Sequence, residues 1–399
     1  MPGLRTQAIT AAAGLVGLPW RGARSRSKPL SPDDRSLKRV LVIKPCCMGD
    51  VLMSTAAVAE LREALPGSEI SFLVGNYSQP AVENNPRLNS LLPTKEGVLD
   101  YVQGYLSTAA RIRKGRFGAA LVLDRSPMLN MLPLVARVPV RAGLDSGNRG
   151  IGLTHPVSCP ENASRHEVEW YLDVVRALGL PASEKARLEF YPAESDKQEA
   201  GRLLSETSEE GEEGYVAIHV GGGANPGMKL PSKRWRPERW ARIADWLAET
   251  YGSTILLLGG PGKEDRQAAE EVKSSLFPAT LPYVTDLVGK TGWGTMGALI
   301  ARCSLFLGND TGAMHLATAV GTPVVAVFGP SDAARYGPWD PSGRSVVVAP
   351  ATRAKSGAEA LRAASRSKNS YHDLVSAEQV WKAVERTYTR AVAVAGRPR

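Results

Sequence analysis

The sequence predicts an α/β protein with two parallel-sheet units arranged one after the other along the chain. Three observations lead to this prediction. Short β-branched runs alternate with helix-like segments through residues 39–180, an acid-rich stretch interrupts the alternation, and a second alternation begins near residue 214. Strands separated by helices pair in parallel, because a helical crossover brings the chain back to the same edge of the sheet.

The first half contains three segments typical of buried strands: RVLVIK, EISFLVG and GAALVLD. The loop PCCMGD and a helical pattern, VLMSTAAVAELREAL, follow the first of them, and YVQGYLSTAARIRK predicts a helix before the third. RHEVEWYLDVVRALG predicts a further helix, since Gly179 and Pro181 follow it as stop signals.

A change in composition predicts a boundary between the halves. Residues 194–213 contain eight acidic and two basic residues, and SETSEEGEEG has no apolar residue. We therefore predict five segments: a basic, flexible arm over 1–37, an N-terminal domain over 38–190, an acidic linker over 191–213, a C-terminal domain over 214–375, and a closing helix and tail over 376–399.

The second half repeats the strand and helix alternation. YVAIHV, STILLLGG and SLFLG predict strands, while PERWARIADWLAETYG, a polar segment from Lys263 and MGALIARC predict helices. Residues 351–370 are basic and poor in large apolar side chains, which predicts a mobile loop. SAEQVWKAVERTYTRAV predicts the closing helix, with Ser376 as its N-cap.

Charge is concentrated in the arm. The chain carries a net charge of +9, and residues 1–40 hold eight Lys or Arg against two Asp. Three interpretations remain open for this segment: an unstructured tail, a segment lying on an anionic membrane face, or an organellar transit peptide. We expect no nucleic-acid binding, because aromatic residues do not interleave with these charges apart from Trp20.

The longest apolar stretch and the cysteines indicate in which compartment we expect the protein. Residues 8–20 would form a helix of only ~20 Å, too short for a ~30 Å hydrocarbon layer, so we expect no transmembrane helix. The four cysteines lack metal-ligand spacing and predict a reducing, cytoplasmic compartment. We interpret Cys46 and Cys47 as small loop residues and not as a nucleophile.

Candidate functional residues follow predicted strands. In GNDTGAMHLATAV a helix is predicted to begin near Thr311. The free N–H groups of its first residues, Thr311, Gly312 and Ala313, would favour an anion. On spacing alone, Asp310 is either the N-cap of this helix or a ligand-binding side chain. Gly221 to Gly223 follow another strand and permit close approach of a diphosphate, which Lys233 would neutralise. The sequence has neither GxxxxGK[ST] nor a GxGxxG after its first strand.

Taken together, four segments resemble the bacterial heptosyltransferases of lipopolysaccharide core synthesis, glycosyltransferase family nine. They are VLVIKPCCMGDVLMSTAAVAELREALPGSEISFLV, IHVGGGANPGMKLPSKRWRPERWARIADWL, LLLGGPGKED and LGNDTGAMHLATAVGTPVVAVFGPSD. The resemblance spans roughly residues 38–345. It implies a GT-B fold, in which two Rossmann-like domains face a cleft, with the acceptor on the first domain and the nucleotide-sugar on the second.

The resemblance also implies roles for particular residues. Asp50 would be the general base that activates an acceptor hydroxyl in an inverting transfer, with Met48 and Gly49 in the same acceptor-side loop. Asp310 would bind sugar hydroxyls, in place of the N-cap role. The residues implied in donor binding are Gly222, Gly223, Lys233, Glu264, Asp310, Thr311, Gly312 and His315.

The implied reaction is the transfer of a heptose from ADP-heptose to a lipopolysaccharide core or a related cell-surface glycan. Backbone N–H groups and Lys233 would stabilise the departing diphosphate, so we expect no metal and no cofactor. The expected partners are a nucleotide-sugar and a glycolipid or polysaccharide acceptor. The alternatives are another nucleotide-sugar donor, a GT-B epimerase or hydrolase, and a nucleotide-binding protein without catalysis.

Overall fold

The computed structural model describes residues 28–160, 163–207, 214–225, 228–329, 331–350 and 374–395. The chain divides into two compact units, with the boundary between Ala186 and Arg187. The predicted basic arm lies outside the described residues as far as residue 27, and so does the predicted mobile loop over 351–370.

The first unit contains one six-stranded parallel sheet. Its strands are β1 (Arg39–Ile43), β2 (Glu69–Gly75), β3 (Ser90–Thr94), β4 (Ala119–Val122), β5 (Val140–Asp145) and β6 (His155–Ser158). Its helices are α1 (Met48–Ala64), α2 (Val102–Lys114), α3 (Pro127–Val135) and α4 (Glu167–Ala177). The strand order is β3-β2-β1-β4-β5-β6, so the direction of winding reverses between β1 and β4.

The second unit has a sheet of the same topology. Its strands are β7 (Tyr215–His219), β8 (Ala224–Asn225), β9 (Met228–Lys229), β10 (Thr254–Leu258), β11 (Val284–Asp286), β12 (Cys303–Asn309), β13 (Val324–Val327) and β14 (Val346–Val348). Its helices are α5 (Glu194–Ser205), α6 (Pro237–Tyr251), α7 (Lys263–Ser275), α8 (Trp293–Ile300), α9 (Gly312–Ala319), α10 (Ala333–Tyr336) and α11 (Ala377–Ala395). The six-stranded order is β11-β10-β7-β12-β13-β14, while β8 and β9 form a separate antiparallel pair.

The central strands are apolar on both faces, as a sheet covered by helices on both sides requires. Residues 40–43 of β1 are at most 1% exposed, and β4 and β10 are buried throughout. Leu41 and Ile43 face a core to which α2 and α3 contribute, including Tyr105 and Leu132. The predicted α/β class with two parallel sheets is confirmed.

Strand β3 was not predicted from the sequence. It lies at the edge of the first sheet and contains Pro93, whose ring lacks the N–H that a central strand would need. The edge position leaves one side of this strand without a ladder, so the proline is tolerated. Its apolar content is too small to distinguish it from a loop.

The acidic segment predicted as a linker over 191–213 is partly helical. Residues 194–205 form α5, whose buried residues are Ala200, Leu203 and Leu204. Asp196 accepts hydrogen bonds from the backbone N of Ala193 at 3.0 Å and from Thr295 Oγ1 of α8 at 3.1 Å. A narrow apolar face was enough to form a helix here because α8 supplies a packing surface, which the acid count could not reveal. Residues 208–213 lie outside the described residues.

The closing helix α11 packs in the core of the second unit. Val380, Val384 and Tyr388 are at most 1% exposed and belong to the same apolar core as Trp240. The Tyr388 ring stacks on Tyr251 with ring centroids 4.4 Å apart. Within the described ranges, none of the helices has the length and apolar content that a membrane crossing requires.

Replacing Tyr388 with Ala should destabilise the second unit by roughly 3–5 kcal/mol, because it leaves a cavity in the core and removes the partner of Ser253 Oγ, 3.0 Å from the phenol oxygen. Urea unfolding measures this free energy. Lys382→Ala, at an exposed position on the same helix, is the control and should change it by less than about 0.5 kcal/mol. Equal effects of the two substitutions would show that α11 does not belong to the core.

Candidate active site

The reversal of strand order in the first unit brings two charged side chains together. Lys44 follows β1 directly and Asp124 lies two residues after β4, and these strands are neighbours in the sheet. Lys44 Nζ donates to Asp124 Oδ2 at 2.9 Å, and the lysine side chain is 7% exposed. Asp124 Oδ1 also accepts from the backbone N of Ser126 at 2.8 Å.

Both members of this pair are charged. Burial alone would lower the pKa of Lys44, but the negative charges of Asp124 and Asp50 outweigh burial and raise it well above its usual value. Burial likewise raises the pKa of Asp124, but the Lys44 ammonium reverses the effect, and the net pKa is below the usual value. A buried ion pair of this kind is costly to break, because removal of one member leaves an uncompensated charge.

Asp50 is the third residue of α1 and stands close enough to Lys44 to interact with it. Its Oδ2 accepts from the backbone N of Cys47 at 3.4 Å, which holds the carboxyl at the start of the helix. Burial raises the pKa of Asp50; the Lys44 charge opposes this change and the Glu167 charge adds to it. A half-buried carboxyl with a raised pKa is a stronger base than an exposed one, as a proton acceptor requires.

The acceptor-side loop is shorter than predicted. Met48 and Gly49 were expected in that loop, but they are the first two residues of α1. Met48 is 2% exposed, so its side chain contributes to the core. Cys47 is the N-cap of this helix. The helix begins earlier than its apolar pattern, which starts at Val51, because Cys47 is the capping residue.

Cys46 and Cys47 form a disulfide bond with each other. Both lie in the loop between β1 and α1, and the bond between them was not predicted. Sequence spacing gave no basis for pairing adjacent cysteines, whose bonding depends on the local backbone. The other two cysteines, Cys159 and Cys303, are free and buried.

Five charged or polar residues of this site were not predicted as functional: Lys44, Asp124, Arg125, Glu167 and Tyr171. Glu167 begins α4 and forms an ion pair with Arg125, and Tyr171 presents its ring 5.8 Å from Lys44 Nζ. A usable signal existed for Lys44, because it follows a buried strand and precedes the loop that contains Asp50. The contribution of α4 was not predictable, since more than 100 residues separate it from that strand.

The second unit has its own crevice where its strand order reverses, between β7 and β12. Gly222 and Gly223 follow β7 with φ values of +123° and +73°, which side chains other than that of glycine rarely adopt. A Cβ atom at Gly222 would lie 2.0 Å from Thr311 Cγ2. The glycine turn thus lies directly against the start of α9, while the predicted approach to a diphosphate stays a prediction.

Asn309 connects this glycine turn to a second loop. Its Oδ1 accepts from the backbone N of Trp235 at 2.9 Å, and its Nδ2 donates to the carbonyl of Gly221 at 3.0 Å. The side chain is fully buried. Asn309 was not predicted as a functional residue, because the charged residue after it gives the stronger signal in the sequence.

Asp310 does not cap α9. The N-cap is Thr311, and its side chain makes no capping hydrogen bond. Asp310 is 5% exposed, and its Oδ2 lies 2.5 Å from Lys233 Nζ. This contact is an ion pair without hydrogen-bond alignment, since Asp310 Oδ2 is among the buried atoms that lack a hydrogen-bond partner in the described part of the chain. The structure therefore excludes the N-cap interpretation.

The first turn of α9 supplies further polar groups. The helix begins at Gly312, and the first N–H groups of any helix have no partner within the helix. Thr311 Oγ1 is buried and, among the described residues, has no hydrogen-bond partner. His315 lies one turn into α9 and is 4% exposed. N–H groups, a hydroxyl, a carboxylate and an ammonium therefore meet at one end of α9.

The start of α7 contributes Asp265 more directly than the predicted Glu264. Glu264 is exposed in the first turn of that helix. Asp265 accepts from the backbone N of Gly260 at 2.8 Å and forms an ion pair with Arg234 at 3.0 Å. Arg234 Nε in turn donates to the carbonyl of Gly222 at 2.7 Å. These contacts join three loops at the carboxyl edge of the sheet.

His219, the last residue of β7, is buried beneath the same loops. Burial lowers its pKa, while the charge of Asp265 partly opposes the change. The lowered pKa favours the neutral imidazole, and among the described residues Lys233 and Arg234 carry positive charge at this crevice. In the described ranges, no cluster of three or more His, Cys, Asp or Glu is arranged to hold a metal ion.

Two doubly wound units of identical strand order, each with an ionic cluster where the winding reverses, define the GT-B class of fold. This class is shared with solved structures of similar topology. A glycosyltransferase of family 9 from Veillonella parvula matches 91% of this chain and 100% of its own, with a TM-score of 0.75 and 24% identity. The ADP-heptose lipopolysaccharide heptosyltransferase II of E. coli matches 88% of this chain and 99% of its own, with a TM-score of 0.67 and 22% identity.

The chain belongs to glycosyltransferase family 9 (heptosyltransferase), whose model matches residues 105–361. Among curated relatives, it is similar to lipooligosaccharide heptosyltransferase 2 of Haemophilus influenzae. The two are 26% identical over 299 residues, which cover 73% of this chain and 83% of the relative. The resemblance inferred from the quoted motifs is confirmed.

Replacing Gly222 with Ala should lower the free energy of unfolding by about 1–3 kcal/mol more than Gly321→Ala does. Both glycines have positive φ, but only at Gly222 would the new methyl group meet Thr311; nothing lies within 4 Å at Gly321. Urea unfolding compares the two variants. Adding Thr311→Ser to Gly222→Ala should recover part of the loss, because it removes Cγ2. Equal costs at the two glycines would contradict the close approach.

Proposed function

We propose that this chain transfers a heptose from ADP-heptose to a lipopolysaccharide core or a related cell-surface glycan, with inversion at the anomeric carbon. The observation that supports this most directly is the pair of buried atoms at the start of α9, Asp310 Oδ2 and Thr311 Oγ1. In the described part of the chain neither has a hydrogen-bond partner. Buried polar atoms are normally satisfied. The Thr311 hydroxyl is not, and among the described residues Asp310 Oδ2 is held only by its ion pair with Lys233, so the two groups together favour a polyhydroxylated ligand.

The donor diphosphate fits the groups beside those atoms. Lys233 contributes a positive charge, and the free N–H groups at the start of α9 favour an anion. Negative charge grows on the diphosphate as the sugar leaves it, so these fixed groups stabilise the transition state more than the ground state. Lys233 would exchange Asp310 for phosphate on donor binding, which would free the carboxylate for sugar hydroxyls.

The remaining expected donor residues take positioning roles in this proposal. Gly222 and Gly223 allow the backbone to approach the diphosphate, and Gly312 does the same at the first turn of α9. His315 stands close to the phosphates from within α9. Glu264 is assigned to the ribose hydroxyls, where its exposed position leaves it accessible.

Asp50 would act as the general base. Its raised pKa and its place beside the Lys44–Asp124 pair favour proton acceptance from a hydroxyl of the acceptor. The proton moves to Asp50 as the acceptor oxygen attacks the anomeric carbon, and the bond to the diphosphate breaks. No covalent enzyme intermediate is needed. Because the donor is a nucleotide-activated sugar, we place the reaction in the cytoplasm. In this proposal Lys233 and the N–H groups at the start of α9 neutralise the leaving diphosphate, so we assign no metal or cofactor to the reaction.

The choice of ADP-heptose rests on relatives. One E. coli protein of the same fold is an ADP-heptose lipopolysaccharide heptosyltransferase, and the curated relatives are lipopolysaccharide or lipooligosaccharide heptosyltransferases. The discriminating experiment measures thermal unfolding with ADP, UDP, GDP and CDP, followed by transfer from ADP-heptose to a deacylated core acceptor, read by mass spectrometry. A ligand at 100 times its Kd adds ~2.7 kcal/mol of stability.

Stabilisation by ADP together with a mass gain of one heptose on the acceptor would support the proposal. Stabilisation by UDP or GDP alone would indicate that the donor is another nucleotide-sugar. Donor consumption without an acceptor would indicate an epimerase or hydrolase, and binding without turnover a non-catalytic protein.

Asp50→Asn should reduce kcat by ~10²–10⁴ while the Kd for the donor stays within about two-fold of wild type, because only the proton acceptor is removed. Steady-state kinetics and donor titration separate these quantities. Asp33→Asn, at an exposed position in the same unit, is the control and should leave both unchanged. Full turnover by Asp50→Asn would eliminate Asp50 as the base.

Lys44→Met should move the acidic limb of the profile of kcat/KM against pH to higher pH. The Lys44 charge lowers the pKa of Asp50, so its removal raises that pKa, and the carboxylate needed as base is lost at a higher pH as the solution is acidified. Lys44→Arg retains the charge and should leave the limb in place. Circular dichroism must show that both variants are folded. An unchanged limb in Lys44→Met would contradict the coupling.

A further inference from the structure

An exposed stripe runs along α2, beside the face that packs against the core of the first unit. Val102, Leu106, Ala110 and Arg113 are spaced four, four and three residues apart, so they align along one side of the helix. All four are exposed, with Val102 at 78% and Leu106 at 54%. The buried face of α2 consists of Tyr105, Thr108, Ala109 and Ile112.

Exposed apolar side chains continue from this stripe into the loop before it. Tyr101, directly before α2, is 71% exposed, and Tyr77 is 38% exposed. Tyr77 lies near the β3–α2 loop, because its backbone N donates to Glu96 Oε1 at 2.5 Å. Large apolar side chains at such exposures are informative when they cluster, because soluble surfaces rarely present contiguous apolar patches. We call Tyr77, Tyr101, Val102, Leu106, Ala110, Arg113 and Lys114 the α2 surface.

The basic end of α2 gives the α2 surface its charge. Arg113, Lys114 and the following Arg116 are exposed, and none of them forms an ion pair with a carboxylate in the part of the chain that the structure describes. Arg111 differs, because it donates to the carbonyl of Pro93 at 2.9 Å. Apolar and aromatic side chains followed by unpaired cations complement an anionic lipid surface.

The topology places the apolar end of α2 at the functional edge of the sheet. A helix that connects two parallel strands begins at their carboxyl ends and runs back to their amino ends. Tyr101 and Val102 therefore lie at the same edge of the first sheet as Lys44 and Asp50, while Arg113 and Lys114 lie toward the opposite edge. A lipid surface against the apolar end would bring a lipid-borne acceptor near Asp50.

We propose that the α2 surface binds an anionic phospholipid bilayer. Tyr101, Val102 and Leu106 enter the interface between headgroups and acyl chains, and Arg113 and Lys114 contact lipid phosphates. This surface is separate from the basic arm, whose residues 1–27 lie outside the described part of the chain. The proposal rests on the proposed function only in that the acceptor is membrane-borne.

A second exposed apolar cluster, in the other unit, lacks the matching charge. Phe277 is 65% exposed and Leu281 is 47% exposed. The nearby end of α7 contains Glu270 and Glu271, and its Lys273 is paired with both Glu270 and Asp286. The lysine near this cluster is paired, whereas among the described residues Arg113 and Lys114 are not, so this cluster provides a control of similar apolar exposure without unpaired cations.

The test is co-sedimentation of the full chain with sucrose-loaded vesicles of phosphatidylglycerol and phosphatidylethanolamine, against vesicles of phosphatidylcholine. Wild type should bind the anionic vesicles and bind them less in 0.5 M NaCl. Val102→Glu with Leu106→Glu should lower the partition coefficient at least about ten-fold, whereas Phe277→Glu with Leu281→Glu should leave it unchanged. Arg113→Gln with Lys114→Gln should lower it about ten-fold or more, since each basic residue contributes about five-fold at an anionic surface.

One further variant and one further measurement show whether the arm or self-association accounts for the vesicle binding. Arg21→Ser, Arg24→Ser and Arg26→Ser together remove charge from the arm, and binding should persist in this variant. If the arm variant loses binding while Val102→Glu/Leu106→Glu binds vesicles as wild type does, the membrane contact belongs to the arm and the proposal is overturned. Absence of any binding by wild type would also overturn it. Sedimentation velocity without lipid must show the same mass for wild type and Val102→Glu/Leu106→Glu; a change would indicate an interface between copies of the chain instead.

Transfer to a deacylated, lipid-free acceptor separates this proposal from the proposed function. Val102→Glu/Leu106→Glu should retain the wild-type rate in that assay and lose rate only when the acceptor is embedded in anionic vesicles. Vesicle binding without any heptose transfer would refute the proposed function and leave the α2 surface standing. Heptose transfer without vesicle binding would support the proposed function and refute membrane binding by the α2 surface.

Discussion

The reversal of strand order in the middle of each sheet is the constraint on which both candidate half-sites depend. Where β1 meets β4, and where β7 meets β12, the following helices go to opposite faces and leave a crevice at the carboxyl edge. Side chains that follow those strands must share this crevice. Lys44 meets Asp124 at the first, and Gly222 meets Thr311 at the second. The same backbone topology thus produces both crevices, to which we assign proton acceptance in one unit and anion binding in the other as part of the proposed function.

Charge burial distinguishes the chemistry of these crevices. In the first unit, one lysine sits among several carboxylates, and burial leaves Asp50 with a raised pKa although Lys44 is near. In the second unit, Lys233 and Arg234 are each paired with one aspartate, and backbone N–H groups add positive potential. These surroundings suit the proposed roles, because a base must attract a proton and a diphosphate site must stabilise developing negative charge.

Much of the fold could be predicted from the sequence, because buried central strands and amphipathic helices have distinct periodicities. The strands at Arg39, Tyr215 and Thr254 and the helix from Pro237 all formed as predicted. The elements that were not predicted include the edge strand with Pro93, strands β5, β6 and β14, the short helix α3, and the helix α5, whose narrow apolar face depends on α8. The candidate site divides in the same way. Asp310 was selected from its motif, and its role stays a prediction, whereas Asn309 and Asp265 were not selected because their contacts are with other loops.

The sequence by itself determined which elements form and which motif residues follow each strand, because these depend on local patterns of apolar side chains, glycine and proline. Only the tertiary structure decided what those residues contact. It assigned the cap of α9 to Thr311 and paired Asp310 with Lys233, 77 residues earlier in the chain. It also brought Glu167 to Asp50 and left Val102 and Leu106 uncovered. Burial and long-range pairing are properties of the packed chain, since they depend on which distant segments the sheet order makes neighbours.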